Sequence, residues 1–414
     1  MPTPQQHTMT EPLDVCLRRA GSTYQPAAPE DLPRVIAAFN AFAGEVEATA
    51  DGCEIVRIVA GHINTTFGLR QTAGGLAYIV QRMNTIFDLD AIAGNLRLLE
   101  EAQAASAALL PDHWQPVSYL NARDTGAKLW FDAAGAGWRV MRYVPGEIRI
   151  FNHFGMVPAE MTAAVARSQG EAIAIFGRML EAIPEERWRA PLPHFHNTRY
   201  HLDYLDAILR GERVPLSLSR GAGRMVTAEP AFLRAHAGRI DALRAKIDGW
   251  RRLAGSLDAL GRAVTHGDTK INNFVFRRGD DGALRCVCLI DLDTVQLGNR
   301  LDDLGDALRS AGNPAGEEPP RLDDVAIDAG IVENLIAGYR AQARAFYGAA
   351  RADALCARAR EAYQQFLYAQ CVRFFADALV GNVYFALKPG LPADINLYRA
   401  EVQMRALELL ARGA

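Results

Sequence analysis

Two stretches constrain this chain of 414 residues more than any others: Val264-Thr-His-Gly-Asp-Thr-Lys-Ile-Asn-Asn-Phe-Val-Phe276 and Leu289-Ile-Asp-Leu-Asp-Thr294. In the first, Asp268 is followed five residues later by Asn273. In the second, Asp291 closes the apolar run that begins at Cys286. Phosphoryl transfer from a nucleotide uses these residue types. One carboxylate orients and deprotonates the attacking hydroxyl, while an amide oxygen and a second carboxylate hold the Mg²⁺ that bridges the phosphates. A lone His-Gly-Asp usually marks only a turn. The amide at the right offset, the apolar flanks and a second apolar run ending in Asp make coincidence a poor explanation.

Composition sets few other limits. Half of the residues are hydrophobic, 22% are charged and the formal net charge is −3, ordinary for a soluble globular chain of two lobes or more. There is no basic surplus to meet nucleic acid. No apolar run reaches the roughly eighteen residues of a membrane span, and residues 1–15 lack the apolar core of a secretion signal. The cysteines at 16, 53, 286, 288, 356 and 371 are scattered. They form neither a zinc pattern nor a disulfide framework and point to a reducing cytoplasm. The oligomeric state is not written in this composition.

Residues 1–28 lack periodicity and read as a poorly ordered start. Positions 29–42 have apolar residues at helical spacing behind acids, a helix signal. Strands are expected at 54–60, 65–71 and 76–83, with Gly61-His-Ile-Asn-Thr-Thr-Phe67 turning between the first two and Thr72-Ala-Gly-Gly75 between the next. A small-residue hairpin loop lets backbone N–H groups approach phosphates, so Gly61, Thr65 and Thr66 are candidate nucleotide contacts. The third strand offers Arg82 as the cation for the α- and β-phosphates, which a guanidinium grips bidentately. In a helix over 88–110, Glu100 or Glu101 is placed to pair with that cation, and nothing selects between them. Strands at 114–120 and 138–144 follow. A hinge at 142–146 contains Tyr143 and is expected to bind adenine through its backbone. Helices are expected at 158–181, 199–210, 228–254, 324–347 and 350–380, with loops at 211–224 and 312–321. The fold class is therefore α+β, a protein-kinase-like two-lobed arrangement. A nucleotide lobe at 29–142 carries an antiparallel sheet and helix, and a larger, mainly helical lobe occupies 143–414.

Protein kinases carry H-R-D-x-x-x-x-N and D-F-G at the corresponding places. The H-G-D-x-x-x-x-N and I-D-L-D of this chain resemble instead the aminoglycoside phosphotransferase and choline kinase superfamily. Several further stretches look like its N-acetylhexosamine 1-kinases: Tyr78-Ile-Val-Gln-Arg-Met-Asn84, Phe195-His-Asn-Thr198, Leu304-Gly-Asp-Ala-Leu-Arg309, 372–385 and Asn396-Leu-Tyr-Arg399. The resemblance implies ATP- and Mg²⁺-dependent transfer of the γ-phosphate to the anomeric hydroxyl of a hexose or N-acetylhexosamine. By it, Asp268 is the base, Asn273 and Asp291 are magnesium ligands, and Asp293 faces the sugar or a second metal. Arg373 and Tyr384 match positions that reach sugar hydroxyls or the N-acyl group, with His196 nearby. Two departures stand out: Gly94-Asn95 lies where the family's Glu is expected, and His-Gly-Asp replaces the His-Asn-Asp of some members.

The aromatic residues around Arg373 also fit a core at helical spacing, whereas a buried arginine wants a partner. Asp303 and Asp306 are placed to brace the catalytic loop, with His266 as an ordering hydrogen bonder, and Lys270 is placed to touch the transferred phosphate. Other acceptors with the same chemistry are an aminoglycoside, an amino alcohol or a nucleoside, and a nucleotide-binding pseudokinase is the non-enzymatic reading. An aminoglycoside pocket would be crowded with acids, unlike one containing Arg373 and His196.

Overall fold

The computed structural model describes residues 17–18, 20–21, 23–42, 47–59, 63–72, 77–216, 224–385, 387 and 390–413. Alternating apolar and polar positions build its first sheet. Strands β1 (Tyr24–Pro26), β2 (Cys53–Ile58), β3 (Thr65–Gln71), β4 (Ala77–Arg82), β5 (Trp130–Phe131) and β6 (Gly137–Arg142) lie in the order β1-β2-β3-β4-β6-β5. Every neighbouring pair is antiparallel. Phe67, Leu69, Tyr78, Val80, Trp138 and Val140 form a core with Val35, Ala38 and Phe39 of helix α1 (Leu32–Asn40). Met141 belongs to a second core shared with Ile92, Leu96 and Leu99 of α2 (Leu89–Ser106). Helix α2 starts where Asp88 caps it, accepting the Ala91 N–H at 3.0 Å.

Two expectations differ here. Tyr24–Pro26, inside the stretch read as poorly ordered, pairs with β2 as an edge strand. The stretch 114–120 makes only an isolated bridge, Tyr119 to Met141, because Pro116 removes a ladder donor.

The chain crosses between lobes after β6 and enters β7 (Ile148–Arg149). The second lobe then runs through α3 (Thr162–Leu180), α4 (Thr198–Leu209), the short pair β8 (Val214–Pro215) and β9 (Met225–Val226), α5 (Pro230–Ala235) and α6 (Ala237–Gly249). Strands β10 (Arg262–Thr265), β11 (Phe274–Arg278), β12 (Leu284–Leu289) and β13 (Gln296–Asn299) follow. The chain ends through α7 (Asp302–Ala311), α8 (Ala329–Tyr347), α9 (Ala349–Cys356), α10 (Ala359–Leu379) and α11 (Ile395–Ala411). The periods at 228–254 and 350–380 each resolve into two helices, broken at His236 and at Ala357–Arg358. Apolar spacing continues across breaks of one or two residues, so it does not register either one. Helix α7 had escaped notice because its buried face includes Asp302, Asp303 and Asp306. Helices α3 and α8 pack backbone to backbone: a Cβ on Gly170 would lie 1.9 Å from the Leu335 carbonyl oxygen, and one on Gly338 1.9 Å from that of Arg167. This tight pair forms the platform beneath the catalytic strands.

Candidate active site

Strand β10 delivers the chain into His266-Gly267-Asp268, and its pairing with β13 brings the Asp291 segment alongside. The β11–β12 hairpin closes at its base where Ile290 N–H donates to the Asn273 carbonyl at 2.9 Å. Asn273 and Asp291, far apart in sequence, therefore sit side by side. Gly267 makes the turn between them and Asp268. Its φ is 82°, and a Cβ would lie 2.8 Å from the Thr294 carbonyl oxygen, so only glycine fits.

The loop is held by the acids of α7. Asp303 accepts the N–H groups of His266 and Gly267, each at 2.9 Å. Asp306 accepts the Thr269 N–H at 2.8 Å and, on its other oxygen, Arg309 Nε at 2.8 Å. His266 donates Nε2–H to the Ile290 carbonyl at 3.0 Å and accepts the Asp268 N–H on Nδ1 at 3.2 Å. Both ring nitrogens are thus engaged in ordering the loop.

Asp268 keeps 20% of its side-chain surface open and pairs with Lys270 at 2.8 Å. Burial, the largest single effect, pushes its carboxyl up, but the Lys270 ammonium, together with the electrostatic effects of His266 and Arg309, brings it below the usual range. It is therefore ionised at neutral pH. Asn273 donates its amide N–H to the Asp268 carbonyl at 2.8 Å, leaving Oδ1 without a partner among the described residues. Asp291 adopts the left-handed conformation, φ 63° and ψ 56°, which aspartate tolerates better than most residues. Burial first, then the nearby Asp293 and Asp268, push its carboxyl up to about 6. A cation beside it would relieve that repulsion. One carboxylate and one amide oxygen suit Mg²⁺, which retains waters and phosphate oxygens rather than an all-protein cage. Among the described residues no group of three or more His, Cys, Asp or Glu forms such a cage.

On the opposite wall, among the described residues Arg82 donates only to the Thr65 hydroxyl, at 3.4 Å, and Thr66 receives Gln81 Nε2 at 3.0 Å. Gly61 lies outside the described residues. No acid of α2 reaches Arg82: Glu100 pairs with Lys128, and Glu101 with Arg187 at 2.8 Å. Asn95 instead ties α2 to the catalytic segment, donating to the Arg189 and Val295 carbonyls at 2.8 Å each. The cation from this lobe that reaches the acids is Arg139 of β6, fully buried, which ion-pairs with Asp293. Its Nε donates to Gln81 Oε1 at 2.8 Å. The other oxygen of Asp293 accepts Asn64 Nδ2 at 2.6 Å. This corrects the placement of Asp293 toward a sugar: at 2% exposure, both its oxygens hold the two lobes together. Arg139 and Asn64 were missed. Arg139 had a signal, a charge within the otherwise apolar strand Trp138-Arg-Val-Met141. Tyr143 gives its N–H to the Ala77 carbonyl at 3.0 Å, and its ring packs against Val56 and Ile58 at the lobe crossing.

A cavity open to solvent is lined by His201, Tyr204, Arg373, Asp377, Tyr384 and Phe385, among others. The Arg373 guanidinium lies 4.5 Å from the Phe195 ring, 5.6 Å from Tyr384 and 5.4 Å from Phe385. Asp268 acts electrostatically on both Arg373 and Tyr384. Asp377 accepts the N–H groups of Val383, Tyr384 and Phe385 at 3.0, 2.7 and 3.0 Å. The Asn396 amide adds a fourth bond at 3.1 Å. That clamp, also missed in the sequence, sets the Tyr384 wall. His196 differs from expectation: it donates Nε2–H to the Gly267 carbonyl at 2.6 Å, behind the catalytic loop. Burial, then Arg373, bring it down to about 4, so it is neutral at physiological pH.

A strand-rich lobe over a helical lobe, with an ionised aspartate, an amide and a second acid meeting at their junction, defines a kinase-type phosphotransferase. The chain belongs to the phosphotransferase enzyme family, APH, whose model matches residues 54–366. It is a phosphotransferase acting on a small-molecule hydroxyl. Solved structures similar to it include the choline kinase from Cryptosporidium parvum Iowa II, with 12% identity, 92% of this chain and 97% of that chain covered, and a TM-score of 0.49. A Plasmodium vivax ethanolamine kinase matches with 11% identity, 84% and 81% coverage, and a TM-score of 0.47. The GDP complex of aminoglycoside 2'-phosphotransferase-IIIa matches with 11% identity, 94% and 100% coverage, and a TM-score of 0.49. Among the described residues no helix is long and apolar enough to cross a membrane.

Proposed function

We propose that the protein transfers the γ-phosphate of ATP to the anomeric hydroxyl of a hexose or N-acetylhexosamine, in the cytoplasm. The observation that carries this reading is the cavity at Arg373 and Tyr384. It offers Arg373, aromatic rings and His201, which burial keeps neutral, and the one acid among the described residues of its lining, Asp377, is already committed to four donors. Such a wall suits a sugar ring with hydroxyls and, among the described residues, gives a polycation no free counter-charge. Asp268 accepts the proton of the attacking hydroxyl. A hemiacetal hydroxyl is more acidic than an ordinary alcohol, so a base with an ordinary or lowered pKa suffices. Lys270, 2.8 Å from Asp268, places positive charge where the transferred group passes. Asn273 and Asp291 would hold Mg²⁺, which when bound neutralises charge on the phosphates. Arg82, Thr65 and Thr66 line the nucleotide side, and most of the rate enhancement comes from alignment and charge stabilisation.

The test is ATP consumption with Mg²⁺ against hexoses, N-acetylhexosamines, kanamycin-type aminoglycosides, nucleosides and choline, with phosphorus NMR of any product. A sugar-dependent product whose phosphorus couples to H1 is expected. Turnover confined to the other acceptors would discard the sugar pocket and keep the roles of Asp268, Asn273 and Asp291. ATP binding with no turnover on any acceptor would point to a pseudokinase.

A further inference from the structure

We infer that the acceptor sugar carries an oxyanion, a carboxylate or a phosphate, and that Arg373 binds it; this rests on the sugar-kinase reading and narrows it. The buried arginines among the described residues are Arg139, Arg309, Arg373 and Arg399. Arg139 pairs with Asp293, Arg309 with Asp306 and Glu317, and Arg399 with Glu318. Arg373, at 8% exposure, has no ion-paired carboxylate among the described residues. Its one hydrogen bond is Nη1 to the neutral Gln370 Oε1 at 3.0 Å, and its Nε–H is buried without an acceptor.

A buried guanidinium whose N–H donors lack acceptors is costly. The rings of Phe195, Tyr384 and Phe385 face the guanidinium and stabilise its charge, but they accept none of its fork of N–H donors. Burial accordingly holds Arg373 below its ordinary range. Asp377, in the same cavity lining, is tied to three backbone N–H groups and Asn396 and makes no bond to Arg373. An oxyanion on the ligand would supply the acceptor that Arg373 lacks among the described residues. A carboxylate or phosphate matches the planar fork two bonds at a time. Asp268 is near enough for its charge to act on Arg373, which puts the base and the arginine on the same acceptor.

The experiment measures kcat/KM of the full chain with ATP and Mg²⁺ for glucuronate, galacturonate and glucose 6-phosphate, against glucose, galactose and N-acetylglucosamine. An anionic sugar is expected to exceed its neutral counterpart by about 10–100-fold, the worth of one charge-assisted hydrogen bond. The hexuronates and the hexose phosphate distinguish a carboxylate from a phosphate. In Arg373→Gln the ratio should fall toward one, and Arg373→Lys should restore part of it. Neutral sugars used as well as or better than their anionic counterparts would overturn the inference while leaving the sugar-kinase reading intact. Turnover only with choline or an aminoglycoside would overturn both. Calorimetric binding of the same sugars to the unmodified protein supplies a readout independent of turnover: equal binding of charged and neutral sugars, or none, counts against the inference.

Discussion

Replacing Asp303 with Asn tests how the catalytic loop is held. The wild-type carboxylate accepts two successive buried N–H groups, of His266 and Gly267, each at 2.9 Å. An Asn side chain is nearly isosteric, but its amide oxygen can keep only one of these bonds while its NH₂ confronts the other donor. One buried N–H is then unpaired, costing about 1–3 kcal/mol of stability. The Asp268 carboxylate lies one residue beyond the clamp, and a displacement of about 1 Å costs on the order of 10² in rate. The nucleotide-side groups Asn273 and Asp291 are set by the β11–β12 hairpin instead, so the ATP KM should change less than about threefold. Steady-state kinetics in both substrates and urea unfolding read the three quantities together. A variant whose kcat stays within twofold of wild type would refute the claim that this clamp positions Asp268. A parallel rise in the ATP KM would mean that the substitution disturbs the whole lobe junction.

Asp268→Asn should lower kcat by ~10²–10⁴, the usual worth of a general base, while calorimetry finds ATP affinity near wild type; the reverse pattern rejects the assignment. Arg139→Met should cost roughly 3–5 kcal/mol in denaturant unfolding, since it strands the Asp293 charge, whereas Arg82→Gln should leave stability nearly unchanged and raise the ATP KM. Equal stabilities for the two variants would show that the Arg139–Asp293 pair does not hold the lobes. Asp377→Asn should raise the acceptor KM about tenfold by loosening the Tyr384 wall, and an equal rise in the ATP KM would make it a general packing residue. Burial pushes buried Asp302 up to about 7, from the usual value near 4. The folded state then holds a proton that the unfolded chain has lost, so this contribution is complete below about pH 4 and lost as pH rises through 7. It amounts to at most about 4 kcal/mol. Asp302→Asn should therefore flatten the fall in Tm between pH 5 and 8, and an unchanged slope would remove Asp302 as its source.

The clustering of the proposed catalytic trio was legible because each member obeys a local rule. Asp268 and Asn273 share one short loop, and Asp291 closes an apolar strand, so spacing and flanks alone predict where they fall. The strands of the first lobe were legible for the same reason, as alternating apolar residues must face one side. The acids of α7 were less so, since a buried face with three aspartates hides the apolar period. Asp303 and Asp306 became a clamp only once the fold brought α7 against the loop.

The partners of each charge belong to tertiary structure. The sequence offered Arg82 as the cation and Glu100 or Glu101 as its mate; the fold pairs Arg139 with Asp293 and spends α2's acids on Lys128 and Arg187. It turns His196 behind the loop and leaves Arg373 without an acid. Short-range patterns determine backbone conformation and the order of the catalytic groups, because φ, ψ and apolar period are local. Which charges meet depends on the crossing of β6 over the catalytic segment and of α10 beside α4, and burial makes those meetings decisive by raising the cost of every charge left unpaired.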